Sequence, residues 1–378
     1  MLKTKKLKIV IDDKIPFLKG VLESLASIEY HPGASISNAI ISDANAMLLR
    51  TRTKCNNTLL HNSAVEFIAT ATIGFDHIDT QYCVDNNIVW TNAPGCNSSS
   101  VMQYVASALL FISTKEKKPL CEYTIGVVGV GHVGEKVASM ASILGCKVLL
   151  NDPPRAEKEK GFDNTELTYL LQEADIVTFH VPLVRDGKYP TYHIVNNDFF
   201  NQIKDNSWII NSSRGSVVDS QAVLQQKKLS GIILDVWEGE PHLNQDLLAY
   251  ADIATSHIAG YSVDGKAMGT QMAVRELSKY YNLGMDDWQP QLPSPKKDII
   301  DLTDSEEQEI ITKAVNYAYD IKKDDAILRD NPQAFEQHRG EYAYRWEFGH
   351  YTVIIKDYLT DLEKQLKGLG FKVKYSKC

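Results

Sequence analysis

The feature that most restricts how this chain can fold is a long, regular alternation of short apolar runs with helical patterns. LKIVID (7–12), AMLLRT (46–51), VEFIATAT (65–72) and IVWTNAP (88–94) read as buried strands. FLKGVLESLAS (17–27) and HIDTQYCVDNN (77–87) read as helices between them. A second series follows: TIGVVGV (124–130), KVLLND (147–152), ADIVTFHVP (174–182), SWIINSS (207–213), GIILDVW (231–237) and DIATSHIAG (252–260). Strands that alternate with helices pair in parallel, because each crossover returns the chain to the same edge. The expectation is an α/β protein with doubly wound, Rossmann-like parallel sheets. At 378 residues the chain is too long for one average domain, and an apolar fraction of 44% suffices for ordinary cores.

Long helices are expected at SSSVMQYVASALLFISTK (98–115), where serines can cap the start, and at 262–284. QPQLPSPKKD (289–298) reads as a linker. Beyond it lie an acidic-start helix (304–330), an aromatic and arginine-rich stretch (334–351), another helix and strand-like FKVKYSK (371–377), together a small α+β unit.

VVGVGHVG (127–134) places Gly129, Gly131 and Gly134 directly after a strand and at the start of a helix, with His132 and Val133 inside the turn. Glycines there permit a tight turn, close approach of a pyrophosphate and close helix–strand packing. Asp152 ends the next strand, where a carboxylate accepts ribose hydroxyls and repels a 2′-phosphate. NAD is therefore expected rather than NADP, although Arg155 lies close by.

Three charged residues follow predicted strands: Arg214 in NSSRGSVVD (211–219), Glu240 in LDVWEGEP (234–241) and His257 in TSHIAG (255–260). Open α/β sheets bind ligands at such strand ends. An imidazole, titrating near about 6.5 in water, can take a hydroxyl proton while hydride leaves the carbon. A neighbouring carboxylate stabilises the imidazolium, and Glu240 is the candidate. Arg214 can hold a substrate carboxylate through paired charge-assisted hydrogen bonds.

A net charge of −8 and a pI near 5.7 leave no basic footprint, so neither nucleic acid nor an anionic membrane is an expected partner. No apolar run approaches membrane-spanning length, and the start MLKTKKLKIVIDDK lacks a signal-peptide core. The six cysteines form neither CxxC pairs nor zinc spacings, so no metal is expected. A cytoplasmic protein is the expectation.

These motifs resemble the D-isomer-specific 2-hydroxyacid dehydrogenase family. The family pattern joins the nucleotide turn to strand-end Arg, Glu and His residues, matched here by Arg214, Glu240 and His257. The resemblance implies a discontinuous, flavodoxin-like substrate-binding domain (1–95 and 260–285). It also implies an NAD-binding domain with its leading helix (96–259), a cleft between these two domains, and a C-terminal homodimerisation domain (286–378). RTRTKCN (50–56), TATIGFDHID (70–79), NAPGCNSSSVMQYV (92–105), DPPRA (152–156) and SHIAGYSVDGKA (256–267) are similar to members that act on a small phosphorylated 2-hydroxy acid. The implied reaction is NAD-dependent oxidation of 4-phospho-D-erythronate in pyridoxal phosphate synthesis. By the same resemblance Thr51, Thr72 and Tyr261 contact substrate, Asp235 hydrogen-bonds the nicotinamide amide, and Val181 and Gly260 lie against the cofactor. RTRT departs from the pattern at its second arginine, and Thr51 stands where serine is common. Arg50 and Arg52, with Arg339 or Arg345 as helpers, are candidate cations for the phosphate; interface ion pairs are the alternative for the last two. Two other functions stay open: a 3-phosphoglycerate dehydrogenase and an NAD(H)-sensing interaction protein.

Overall fold

The computed structural model describes residues 6–376 and divides into two compact units. One runs to Asn97 and resumes over Val263–Pro293; the other comprises Ser98–Ser262 and the C-terminal residues from Ser294. Cys378 and the end of the predicted 371–377 strand lie outside the described residues.

The first unit holds five parallel strands: β1 (Lys8–Asp12), β2 (Ser27–His31), β3 (Ala46–Leu49), β4 (Phe67–Thr70) and β5 (Val89–Thr91). Their order is β2-β1-β3-β4-β5. Every residue of β3 and β4 is buried, as expected when both faces of a parallel sheet are covered. Strand alternation divides the core. Ile9, Ile11, Leu48 and Phe67 pack with Ala273, Val274 and Leu277 of the Val263–Tyr281 helix, whereas Val10, Met47 and Ile68 pack with Ile41, Leu60 and Cys83. Each fully buried aliphatic side chain contributes about 1.5–3 kcal/mol relative to exposure. Gly269 is required by contact, since a Cβ there would stand 2.5 Å from the Ala71 carbonyl oxygen.

The predicted helix over 17–27 does not form; this connection is a chain of turns. Phe17 (φ 62°) and Gly20 (φ 84°) are left-handed, and the Glu23 carboxylate accepts from the Gly20 and Leu22 N–H groups. Local side-chain bonds replace the helical ladder. The next strand, β2, has the polar sequence SIEYH and carries no buried-strand signature.

The second unit carries β6 (Thr124–Val128), β7 (Lys147–Asn151), β8 (Ile176–Phe179), β9 (Ser207–Asn211), β10 (Leu229–Leu234) and β11 (Ile253–Ala254), all parallel. Their order is β11-β10-β9-β8-β6-β7, so the chain reverses direction across the sheet between β6 and β8. A ligand crevice belongs at that switch point, above the carboxyl ends of the strands.

The C-terminal residues add a parallel sheet of β12 (Ile299–Asp301), β13 (Thr352–Ile355) and β14 (Lys372–Tyr375). The helix expected over 304–330 is two helices, Glu307–Ala318 and Ile321–Asp330, broken where Tyr319 is extended and Asp320 caps the second. This segment packs into the nucleotide-type sheet and its helices. Ile310, Ala314 and Val315 share a core with Tyr104, Ala108 and Leu109. Arg329 donates to the Leu248 and Ala251 carbonyls, and Asp325 accepts from Ala254 N–H. Among the described residues no helix is long and apolar enough to cross a membrane, and no cluster of ligands suits a metal ion.

Candidate active site

The nucleotide turn follows β6. Gly129 has φ 86°, and a Cβ there would meet the His180 carbonyl oxygen and Val181 Cγ1 at 2.7 Å. A Cβ on Gly134 would stand 1.9 Å from the Gly129 carbonyl oxygen. Only glycines let the His132–Ile143 helix seat this closely on its strand. At Gly131 a Cβ would meet nothing within 4 Å, and that residue begins the helix with no side-chain cap. An open cradle in front of uncapped helical N–H groups fits a dinucleotide pyrophosphate. His132 is exposed and Val133 half-buried beside it.

Asp152 directly follows β7, where its carboxylate accepts from Val130 N–H at 2.8 Å and from Arg155 N–H at 2.9 Å. The same side chain therefore caps the Pro153–Lys158 helix and keeps a negative charge beside the turn. The Arg155 guanidinium is engaged with Glu159, the Val130 carbonyl and the Phe162 ring.

Arg214, Glu240 and His257 occupy loops at the carboxyl ends of β9, β10 and β11, three adjacent strands. His257, at φ 55°, donates from Nδ1 to Glu240 Oε2 at 2.8 Å. The other carboxylate oxygen accepts from Trp237 N–H at 2.8 Å. Burial pushes the Glu240 carboxyl up, but the His257 charge and hydrogen bond, the Trp237 N–H and the Arg339 charge outweigh it and hold the group below its ordinary value. Glu240 is thus an ionised partner that fixes the imidazole and leaves Nε2 for chemistry. The Arg214 and Glu240 loops touch through Gly215: a Cβ there would lie 2.1 Å from the Trp237 carbonyl carbon. Arg214 donates from Nη1 to the Ser213 carbonyl.

The remaining expected residues are distributed as follows. Asp235 is 1% exposed, and its carboxylate accepts from the Thr255 hydroxyl and from the Ile258 and Ala259 N–H groups. It shapes the His257 loop. Val181 follows β8 against the Gly129 turn, and Gly260 is half-buried just past His257. The Tyr261 hydroxyl accepts from Arg339 Nη2 at 3.4 Å. In the first unit Thr51 is exposed after β3. Thr72 follows β4, where its hydroxyl bonds Thr70 Oγ1 and donates to the Gly74 carbonyl. Arg50 donates to the Lys14 carbonyl and Arg52 is exposed. Arg345 is only 5% exposed within its own chain, which removes it from the accessible cations proposed for a phosphate.

Sequence reasoning missed the pair that braces this loop from outside. His193 Nε2 meets Glu238 Oε1 at 2.6 Å, and Glu238 Oε2 accepts from the Ser220 hydroxyl and N–H. The signal available was the pair of acids flanking Gly239 in WEGEP.

Fold and site together have the character of a nicotinamide-dependent hydroxyacid dehydrogenase. The family model for the D-isomer specific 2-hydroxyacid dehydrogenase NAD binding domain matches residues 111–259, and one for a domain of unknown function (DUF3410) matches 291–370. An erythronate-4-phosphate dehydrogenase of Bacteroides fragilis is 43% identical over 92% of this chain and 99% of its own length. One from Escherichia coli is 38% identical over 93% of this chain and 95% of its own. Among solved structures, a D-lactate dehydrogenase from Aquifex aeolicus complexed with NAD and lactic acid is 27% identical, with a TM-score of 0.62, covering 73% of this chain and 95% of that one. An NAD+-bound 3-phosphoglycerate dehydrogenase from Entamoeba histolytica has the same TM-score at 20% identity, covering 76% and 99%, a likeness of fold alone. The chain belongs to the erythronate-4-phosphate dehydrogenase family of D-isomer-specific 2-hydroxyacid dehydrogenases.

Proposed function

We propose that the protein oxidises 4-phospho-D-erythronate to its 2-oxo acid, (R)-3-hydroxy-2-oxo-4-phosphooxybutanoate, with NAD, in the synthesis of pyridoxal 5′-phosphate. The observation that carries this reading is the 2.8 Å pair of His257 and Glu240 beside the Arg214 loop, on the sheet that also bears the glycine turn. Identity of 43% to a relative named for this substrate supports the choice of acid. Gly129 to Gly134 and Asp152 hold the cofactor, and bound NAD supplies an acceptor for the hydride on the carbon bearing the 2-hydroxyl. Val181, Asp235 and Gly260 are assigned to the nicotinamide end.

The chain's own work is acid–base and electrostatic. Arg214 grips the substrate carboxylate and polarises the neighbouring oxygen. His257 Nε2 takes the hydroxyl proton as the carbonyl forms, and the positive charge spreads toward Glu240 through Nδ1–H. One proton moves to the imidazole and one hydride departs, so the alcohol becomes a ketone. Thr51, Thr72 and Tyr261 are assigned to substrate, and Arg50 or Arg52 to its phosphate. Association of two copies through the C-terminal residues is part of this reading. Its support is the exposed aromatic pair Tyr344 (64%) and Tyr358 (68%) among the C-terminal residues.

The test is NADH formation with 4-phospho-D-erythronate, with 3-phosphoglycerate in parallel and a 2-oxo acid present or absent. A kcat/KM at least tenfold higher for the erythronate is expected. Preference for phosphoglycerate would overturn the substrate, and NADH binding without turnover of either acid would favour the sensing function. Light scattering after size-exclusion chromatography reads the dimer directly.

A further inference from the structure

The residues that match a domain of unknown function reach the His257 loop. Arg345 is buried and donates from Nη2 to the Ala259 carbonyl at 2.5 Å, with the Ile258 and Ser100 carbonyls at 3.4 Å. Its guanidinium lies 4.3 Å from the centre of the Tyr319 ring. Asp324 stands in the same pocket and accepts from the Tyr319 and Tyr342 hydroxyls at 2.9 and 2.7 Å. Two residues past Arg345, Glu347 Oε1 accepts from the hydroxyls of Ser262 and Ser100 at 3.0 Å. From the other side Asp235 holds Thr255, Ile258 and Ala259, and the Tyr104 hydroxyl meets Thr255 Oγ1 at 2.9 Å.

We propose that Arg345, assisted by Glu347, is a positioning residue for the general base: the C-terminal segment clamps residues 258–262 so that His257 keeps its aim. This deepens the reading of His257 given above. The chemistry explains why an arginine is used. In the loop after left-handed His257 the Ile258 carbonyl accepts from Tyr261 N–H at 2.7 Å, whereas the Ala259 carbonyl takes its donor from Arg345, and buried carbonyls need donors. All three carbonyls face one nitrogen, Nη2, while the planar guanidinium lies against the Tyr319 ring, a seat that the point charge of a lysine does not fill. Its own charge is stabilised by the Tyr319 face and the Asp324 carboxylate. The side chain thus links the C-terminal helices to the loop that carries the base. The C-terminal segment therefore has a role in each protomer separate from any part in assembly.

Arg345→Lys, Arg345→Met and Glu347→Gln test this, beside Val353→Ala in the β13 core as a control for general destabilisation. The clamp predicts that Arg345→Met lowers kcat about 10- to 100-fold, with KM for NAD changed less than threefold. Arg345→Lys and Glu347→Gln fall between it and wild type. Deuterium exchange of the 256–262 peptide rises in the same order, while Val353→Ala loses melting temperature but keeps kcat. If Arg345→Met does not fold, the other two clamp variants decide. A kcat within twofold of wild type in the folded clamp variants, with unchanged loop exchange, overturns the proposal. Wild-type turnover of the phosphorylated acid is run alongside: its failure indicts the proposed reaction, whereas the exchange measurement still judges the clamp.

Discussion

Replacing Glu240 by glutamine isolates the electrostatic part of the site with almost no change of shape. The native carboxylate accepts twice, from His257 Nδ1 and from Trp237 N–H, both at 2.8 Å. An amide offers one oxygen, so one of these donors must face an NH2 group. If the oxygen stays on Trp237, the imidazole loses its counter-charge and its orientation; if it turns to His257, the backbone N–H of buried Trp237 is orphaned. A hydrogen bond to a charged group contributes about 1.5–3 kcal/mol. At about 1.4 kcal/mol per tenfold in rate, Glu240→Gln should lower kcat/KM roughly 10- to 150-fold. Initial rates of NADH formation read the effect. A variant within twofold of wild type would refute the pairing argument.

Other perturbations follow from the geometry. Gly134→Ala places a Cβ 1.9 Å from the Gly129 carbonyl oxygen, so the helix must lift; NADH fluorescence titration should show at least a tenfold weaker Kd, with about 1–3 kcal/mol lost in urea unfolding. Asp235→Asn leaves the Ile258 or Ala259 N–H facing an amide donor inside the core, and urea unfolding should show a loss of about 1–3 kcal/mol. Burial drives the His180 imidazole down to about 3, so it is neutral in the fold and protonates at about 6.5 when unfolded. Its depressed value makes protons favour the unfolded chain below that pH, at about 1.4 kcal/mol per pH unit. His180→Gln should therefore flatten the loss of stability between pH 6.5 and 5 by about 2 kcal/mol, read by urea unfolding at each pH.

What could be read from the sequence was what local chemistry determines. The glycines of VVGVGHVG announce their contacts because nothing else fits those backbone distances. Strands such as AMLL and FIAT are legible because both faces are apolar. The pairing of Glu240 with His257 was inferred from residue type and strand-end placement, and the two side chains do meet. Reading the apolar period failed where side-chain hydrogen bonds or distant partners decide. The 17–27 stretch has a helical pattern of apolar residues, yet Gly20 and the Glu23 side chain set a turn. The 304–330 helix breaks at Tyr319, whose ring is needed beside Arg345. Arg345 itself looks like a surface cation in an arginine-rich stretch. Only the fold reveals that its partners are carbonyls some ninety residues away.

Single-turnover stopped flow tests most directly whether His257 is the base for alcohol oxidation in this chain. Wild type and His257→Gln, each saturated with NAD, are mixed with 4-phospho-D-erythronate and NADH is followed in the first turnover. The variant should still bind NADH but form it about 100- to 10,000-fold more slowly. NADH formation at a rate within tenfold of wild type would contradict it.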